Sequence, residues 1–529
     1  MSLETQNIEQ ATTAITSDAP DSKTRRYDRQ LRLWAATGQA ALESAHILVA
    51  SSAATCTSIL KNLVLPGIGA FTILDDAIVT PADAGNNFFL EGPHSIGKSR
   101  AQEAVRLLGE LNDGVRGYAD TRSVEDLLAA GKSELFKYTL VIAHNLPQSQ
   151  LETLSQLLWE DEDAPPLVVV RSAGFLAEFF IQQHEHTVIE SHSDDRPSLR
   201  IDKPFPALLQ YAQSLDLEAL DPTEHGHVPY VYILIKAMEK WNQEHDGIPP
   251  RGTVERNAYK DSVLQMKHKS DEENFDEAAS QAYRSFLETK VPSEIAQLFD
   301  DPKLQTLDAM SPPFFHLVAA LKKFAAQPPY TLPLTSMLPD MKASTEAYIT
   351  LQKLYKEQAE QEKAIFKSFI SPNVKIDDDM IDTFVRNAHA IRVIRTSSWN
   401  SIDRDSAKLE NALASSPKAL AIHLALSAAS SLASKSPSPP GEIPSYTVED
   451  ISQEARSLLP SGVSLPTEFE DMAGEIARTP NSDLPNTAAL IGGLVAQETI
   501  KMITKQYIPI SDVCTVDLVE ASTEILGRT

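Results

Sequence analysis

Residues 45–67 read AHILVASSAATCTSILKNLVLPG, and the fold turns on how this stretch is parsed. His46 to Ala50 is a short apolar run, which reads as a buried strand. Ile59 to Leu65 carries apolar residues at helical spacing, and Pro66-Gly67 stops the helix. A strand, a tight turn and a helix in this order open nucleotide-binding α/β units, whose turn is glycine-rich and holds phosphate. Here the turn is Ala50-Ser51-Ser52-Ala53-Ala54-Thr55, with no glycine.

The alternation continues outward. Further strands are expected at Ala70–Leu74, Val115–Tyr118, Thr139–Ala143, Leu167–Arg171, Ala177–Ile181 and Thr187–Glu190. Helices are expected at Ala53–Leu65, Gly97–Leu111, Ser123–Ala130 and Gln148–Trp159. Such βαβ alternation implies a largely parallel sheet covered on both faces. The last two strands have no helix between them and predict an antiparallel extension. From about 206 to 480 strand signals fade and amphipathic helices take over. The clearest runs from Thr345 to Ile370, where Tyr348, Leu351, Leu354 and Tyr355 recur at three- and four-residue steps. Residues 271–286 predict another helix with an acidic first turn. Residues 427–446, rich in Ser and Pro, predict an exposed loop. NTAALIGGLVAQETIKMITKQ (486–506) predicts a buried helix, apolar nearly all round at first, and CTVDLV (514–519) a strand. The plan is a disordered tail (1–24), an α/β domain (25–205), a mainly helical insertion (206–480) and a C-terminal completion of the α/β domain (481–529).

Composition limits function. The chain has 529 residues, 42% of them hydrophobic, and a net charge of −26. Nucleic-acid binding rests on clustered Lys and Arg, so this balance argues against it. Two cysteines, Cys56 and Cys514, without a CxxC pair, leave neither a thiol zinc site nor a disulfide framework. Residues 1–24 lack the apolar core of a signal peptide, and no apolar run approaches the ~18 residues of a membrane span. A soluble protein of the cytoplasm, the nucleus or both is expected, without membrane contact.

The run RRYDRQLRLW (25–34), LKNLVLPGIGAFTILDD (60–76), AGNNFFL (84–90), SIGKSRAQEAVRLLGELN (95–112) and GGLVAQETIKMITKQYIPI (492–510) together resemble the adenylation half of ubiquitin-like activating enzymes. VIESHSDDRPSLRIDKPFPAL (188–208) and TSMLPDMKAST (335–345) narrow the likeness. They are similar to the non-catalytic subunits of the heterodimeric enzymes that activate the neddylation modifier. The resemblance implies a Rossmann-like, ThiF/MoeB-like adenylation-type α/β domain interrupted by a large helical insertion. In the family's active halves, ATP and the modifier's C-terminal carboxylate form an acyl-adenylate, which a cysteine on another domain takes up as a thioester.

Against that pattern this chain lacks four things. The glycine loop, which lets backbone N–H groups approach phosphate, falls on Ala50 to Thr55. The two metal-side acids separated by one residue become Asp75-Asp76 followed by Ala77, and a further acid after the fourth strand falls near His144. Asp75 itself reads as a strand-end residue. The phosphate arginine of Asn-Arg-Gln-Phe is lost in Asn86-Asn87-Phe88-Phe89, and the expected lysine aligns with Arg100, beside Lys98, which reads as a helix-start residue. The insertion has no cysteine. The resemblance therefore implies that this chain binds no cofactor, and that ATP and Mg belong to a catalytic subunit with which it forms an obligate heterodimer. The other implied partners are the ubiquitin-like modifier and, transiently, a conjugating enzyme.

One catalytic candidate remains: Arg29 matches an arginine that crosses the dimer interface to the partner's phosphates, as arginine fingers do. The alternative is a local salt bridge with Asp28 or an acidic patch; Arg32 reads as structural. The implied partner interface is Thr57, Leu60, Lys61 and Val64 on one helix, with Leu332, Leu334, Met337, Leu338 and Met341 on the LPLTSMLPDMKAST segment. His225 and His227 read as loop histidines, and DDDMID (377–382) as an acidic helix start. Two other readings stay open: a Rossmann-type oxidoreductase, disfavoured by the missing glycines, and a free-standing interaction scaffold.

Overall fold

A computed structural model describes residues 22–193, 197–436, 444–459, 462–480 and 482–527. The chain divides into two compact units. Of the described residues, one unit holds Ile189–Arg392; the other holds those from Ser22 to Val188 together with those from Val393 onward.

The α/β unit is built on one eight-stranded sheet. Its strands are β1 (His46–Ala50), β2 (Ala70–Leu74), β3 (Arg116–Asp120), β4 (Leu140–His144), β5 (Leu167–Ala173), β6 (Leu176–Gln182), and, after the excursion through β7 (His186–Val188) and β8 (Arg392–Ile394), β9 (Cys514–Asp517) and β10 (Ser522–Ile525). The order is β10-β9-β6-β5-β4-β1-β2-β3, parallel from β3 to β5 and antiparallel beyond. The expected antiparallel extension exists, but one strand earlier than the sequence placed it. β5 and β6 form the hairpin, whereas β7 leaves the sheet and pairs with β8.

The helices that matter for the site are α1 (Asp28–Ser44), α2 (Ala54–Val64), α3 (Arg100–Gly109), α4 (Gln148–Trp159), α5 (Pro417–Lys435) and α6 (Pro485–Thr504). Successive strand residues alternate between two cores. Ile47, Val49, Ile142 and Val168 join the side chains of α2, α3 and α6, while Leu48, Ala50, Val141 and Val169 join those of α4 and α5. α2 and α6 are packed closely: a Cβ on Gly492 would stand 2.5 Å from Ser58 Oγ. Gly67, which ends the α2 turn at φ +89°, faces the Tyr27 ring, whose hydroxyl accepts from Asn112 Nδ2 at 2.9 Å. Tyr27 of the YDRQ run is thus an anchor for the first strand–helix unit.

Three expectations need correction. The insertion is shorter than 206–480, because the helices after 392 cover the α/β sheet: α5 packs on β5 and β6, and Val448–Leu458 and Phe469–Arg478 pack on α5. Helical periodicity shows that a helix has a buried side but not what it is buried against. The 427–446 stretch is helical through Lys435, with Ser427, Ala428, Ala429 and Ser431 buried, because small side chains suit a tightly packed helix; residues 437–443 lie outside the described set. The tail reaches its first helix at Ser22–Arg26, so 22–24 are not part of a coil; residues 1–21 lie outside the described residues.

The helical unit has its own core. Tyr230–Glu244 supplies Val231, Ile233 and Leu234, Thr345–Ser368 supplies Leu351 and Tyr355, and Tyr259 and Phe275 fill between them. The 271–286 helix is broken, into Glu273–Ser280 and Tyr283–Phe286. His225 is buried against Glu272 (2.8 Å) and stacked on His268, while His227 bonds to the Thr223 carbonyl, so the two do not converge. Asp378 and Asp379 open the helix Asp378–Asn387, as DDDMID predicts.

Candidate functional site

A parallel order 3-2-1-4-5 reverses direction between β1 and β4, and the crevice at the strand C-termini there is the position for ligands in such sheets. The turn after β1, Asp75 after β2, His144 at the end of β4 and the N-terminus of α2 all meet at that edge.

The turn keeps the glycine geometry without glycine. Ser51 has φ +130°, a region that L-residues rarely adopt, and its Oγ accepts from the Ala53 amide at 3.2 Å. The groups that would face phosphate are already engaged. The N–H of Ser52 donates to Asp75 Oδ2 at 2.8 Å and the Ser52 hydroxyl donates to the same oxygen. The N–H of Thr55, in the first turn of α2, donates to Asp483 Oδ2 at 2.8 Å, and the Thr55 hydroxyl donates to Asp483 Oδ1. A carboxylate from the segment entering α6 therefore sits where the helix N-terminus favours an anion. Asn87 closes the other side, accepting from Thr57 Oγ1 at 2.9 Å and donating to the Ser52 carbonyl at 3.0 Å.

Arg100 is the first residue of α3, as expected, and it also carries a charge network. Its Nε donates to Asp75 Oδ2 at 2.8 Å and its Nη1 to Asp83 Oδ1 at 2.9 Å. Burial opposes its charge, but the two carboxylates outweigh burial and hold the guanidinium pKa above its ordinary value. Asp75 is also more than a strand end: its buried carboxylate joins Ser52, the Ala77 amide and Arg100. Lys98 pairs instead with Glu103 at 3.5 Å.

The metal side is also altered. His144, 2% exposed, hydrogen-bonds through Nε2 to Ser172 Oγ at 2.9 Å. Burial lowers its pKa, and of the charges that act on it Asp483 raises the value and Arg100 lowers it. The residues present do not fit ATP with its metal: Thr55 and Ser52 donate to the chain's own carboxylates, and Asp75 is held by a guanidinium. Both cysteines are buried thiols. Burial raises Cys56 well above the ordinary thiol range, with Asp483 adding to it, and burial raises Cys514 to about 11.

Arg29 is exposed at the start of α1, and its side chain forms no ion pair or hydrogen bond among the described residues. Asp28 pairs with Arg32 at 3.0 Å in an exposed arrangement, so the alternative of an Asp28–Arg29 bridge is not the observed one. Of the α2 residues expected at a partner interface, three are buried within this chain. Thr57, Leu60 and Val64 are 1%, 0% and 0% exposed, facing the chain's own core under α3 and α6, and Lys61 is half-buried. In the second segment Leu334 and Leu338 fill the helical unit's core, Leu332 and Met341 are partly buried, and Met337 is exposed at 49%.

The open surface near Arg29 lies elsewhere. Arg29 and Leu33 are four residues apart on α1, hence on one face, and Leu33 is 51% exposed. Leu33 and Trp34 border an apolar groove of about 450 Å³, completed by Asn62, Gly493, Ala496 and Ile500. This explains why α6 is apolar nearly all round without being wholly buried. One face, with Ile491 and Val495, packs in the core, and the other lines the open groove.

Fold and crevice together define an adenylation-type α/β protein whose phosphate turn is occupied by its own side chains. A ThiF family model matches residues 27–144. The chain is 38% identical over 511 residues to a NEDD8-activating enzyme E1 regulatory subunit of Xenopus laevis, spanning 92% of this chain and 95% of that one. It is 36% identical to the Gallus gallus protein of the same description, with 92% and 95% covered, and 35% identical to the regulatory subunit AXL of Arabidopsis thaliana, again with 92% and 95% covered. The chain belongs to the family of NEDD8-activating enzyme E1 regulatory subunits.

Proposed function

We propose that this chain is the catalytically inactive half of a heterodimeric activating enzyme. A catalytic subunit supplies ATP, Mg and the acceptor cysteine, and the complex adenylates a NEDD8-type modifier and hands it on to a conjugating enzyme. The observation that carries this reading is the Asp483 carboxylate on the Thr55 amide, at the position where an active turn would hold phosphate. The same occupancy disfavours a dinucleotide oxidoreductase, which needs that turn for pyrophosphate. The catalytic subunit docks on the groove between α1, α2 and α6, rather than on the buried side of α2. An apolar groove continuous with exposed Leu33 suits a permanent partner, and a docked adenylation domain brings its own crevice toward Arg29.

Arg29 then acts across the interface, its guanidinium stabilising the charge that develops on the partner's phosphates. Arg29→Ala is expected to leave the heterodimer intact, since the residue is exposed and unpaired among the described residues, and to slow adenylate formation by about tenfold or more. Size-exclusion chromatography and single-turnover adenylation by the purified pair check this. An unchanged rate with assembly confirmed assigns Arg29 no role in the chemistry.

A further inference from the structure

The helical unit contains a cavity of about 280 Å³ that the proposed function does not use. It opens between the 197–201 segment, the 283–292 stretch and the 331–334 segment. Its apolar lining includes Leu199, Ile201 and Leu334, all buried. Its charged lining is cationic: Arg200, Arg284 and Lys290 contribute, and no carboxylate among the described residues does. In a chain of net charge −26 this reverses the prevailing sign.

The nearby acids are already held. Glu362 takes Arg200 in a fork, with both contacts at 2.7 Å, so Arg200 acts as scaffold rather than as a free charge. Asp202 accepts from the amide and hydroxyl of Thr289, each at 2.6 Å. Glu288 is shared by Lys203 and Lys290 at 3.2 and 3.1 Å in an exposed arrangement, which is weak. Arg284 has no carboxylate partner among the described residues; its Nε donates to the Gln281 side-chain oxygen at 2.8 Å and its guanidinium stands 5.3 Å from the Tyr283 ring centre. Deep in the lining, Thr331 is 1% exposed and its hydroxyl has no hydrogen-bond partner among the described residues. A buried hydroxyl left without a partner is costly, and a ligand oxygen would satisfy it.

We infer that this cavity binds an oxyanion, carboxylate or phosphate, either free or carried on a short apolar stem. Arg284 and Lys290 supply the charge, the Thr331 hydroxyl the deep donor, and Leu199 and Ile201 the apolar wall. The volume lies just below the usual range for small-molecule sites, so it suits one amino-acid-sized group and not a nucleotide. Calorimetric titration of the full chain tests this with inorganic phosphate, with the capped dipeptide acetyl-Leu-Glu-amide, and with its Gln counterpart. Binding of phosphate marks a free small anion as the source; binding of the Glu dipeptide marks an acidic segment of a partner protein. Either supports the site, provided that Arg284→Glu costs about tenfold or more in affinity and that, where the Glu dipeptide binds, its Gln counterpart binds about tenfold more weakly. Thr331→Val, similar in shape, is expected to weaken binding severalfold without lowering the thermal midpoint. No binding of either anionic probe at millimolar concentration, or binding that neither variant changes, overturns the assignment.

Discussion

His423→Leu will destabilise the α/β unit by about 3–5 kcal/mol, the cost of leaving buried charge without its partner. His423 lies on α5, 0% exposed, with Nδ1 2.8 Å from Glu178 Oε2 and Nε2 2.7 Å from Asp403 Oδ1. Both ring nitrogens face carboxylates, so the imidazolium is the form that suits the site. Burial pulls its pKa down, but Glu178 and Asp403 outweigh burial and push it up to about 9. Arg171 completes the cluster: it pairs with Glu178, donates to Ser427 Oγ at 2.7 Å, and lies 4.7 Å from the Trp399 ring centre. Two cations and two carboxylates thus tie α5 to β5, β6 and the 399–404 turn. Removing the imidazole leaves Glu178, 1% exposed, facing Arg171 alone and strips the cation from Asp403. Denaturant unfolding will show the loss as a lower midpoint. The pH dependence follows from the direction of the shift. A histidine raised from 6.5 to about 9 contributes fully below pH 6.5 and loses its contribution as pH rises through 9. The wild-type chain will therefore lose stability across that window, at no more than ~1.4 kcal/mol per pH unit from this group. His423→Leu will lack that part of the slope, and identical slopes would show that His423 is not charged in the folded protein.

Arg100→Met will have an effect of the same order, about 3–5 kcal/mol, for a related reason. Arg100 is the cation for Asp75, whose side chain is 5% exposed, and for Asp83, at 18%. Without it, Asp75 keeps its bonds from Ser52 and the Ala77 amide but loses its counter-charge in a low-dielectric site. The double variant Asp75→Asn with Arg100→Met removes both charges and is expected to recover most of the loss, since a buried pair replaced as a whole is often near neutral. A double variant as unstable as Arg100→Met would mean that packing around the 75–100 junction, and not charge, sets its contribution.

Much of the fold was legible because it rests on periodicity. The β1–turn–α2 unit, the helix Gln148–Trp159 and the C-terminal helix with its following strand all fall within a few residues of where apolar spacing puts them. The loss of the glycine turn was also legible, since only residue identity is needed. Two things were not. The partner of the α2 N-terminus, Asp483, lies 428 residues from Thr55, and no local pattern connects them. The burial of Leu60 and Val64 in the chain's own core was not legible, because they look equally apolar whether they face a neighbour or the core. The contrast with Leu33 and Ile500, which stay at an open groove, exists only in three dimensions. The opening turn is therefore closed by specific bonds from Ser52, Asp75, Asn87 and Asp483, not simply by the absence of glycine.

The most direct test of this account is ATP–pyrophosphate exchange, measured for the purified chain alone and again after reconstitution with a catalytic subunit and the modifier. The account predicts no exchange above background from the chain alone, with or without modifier and Mg, and robust exchange from the reconstituted pair. Exchange catalysed by this chain alone would contradict it, because the Asp483 carboxylate and the ATP phosphates cannot both occupy the Thr55 amide at the start of α2.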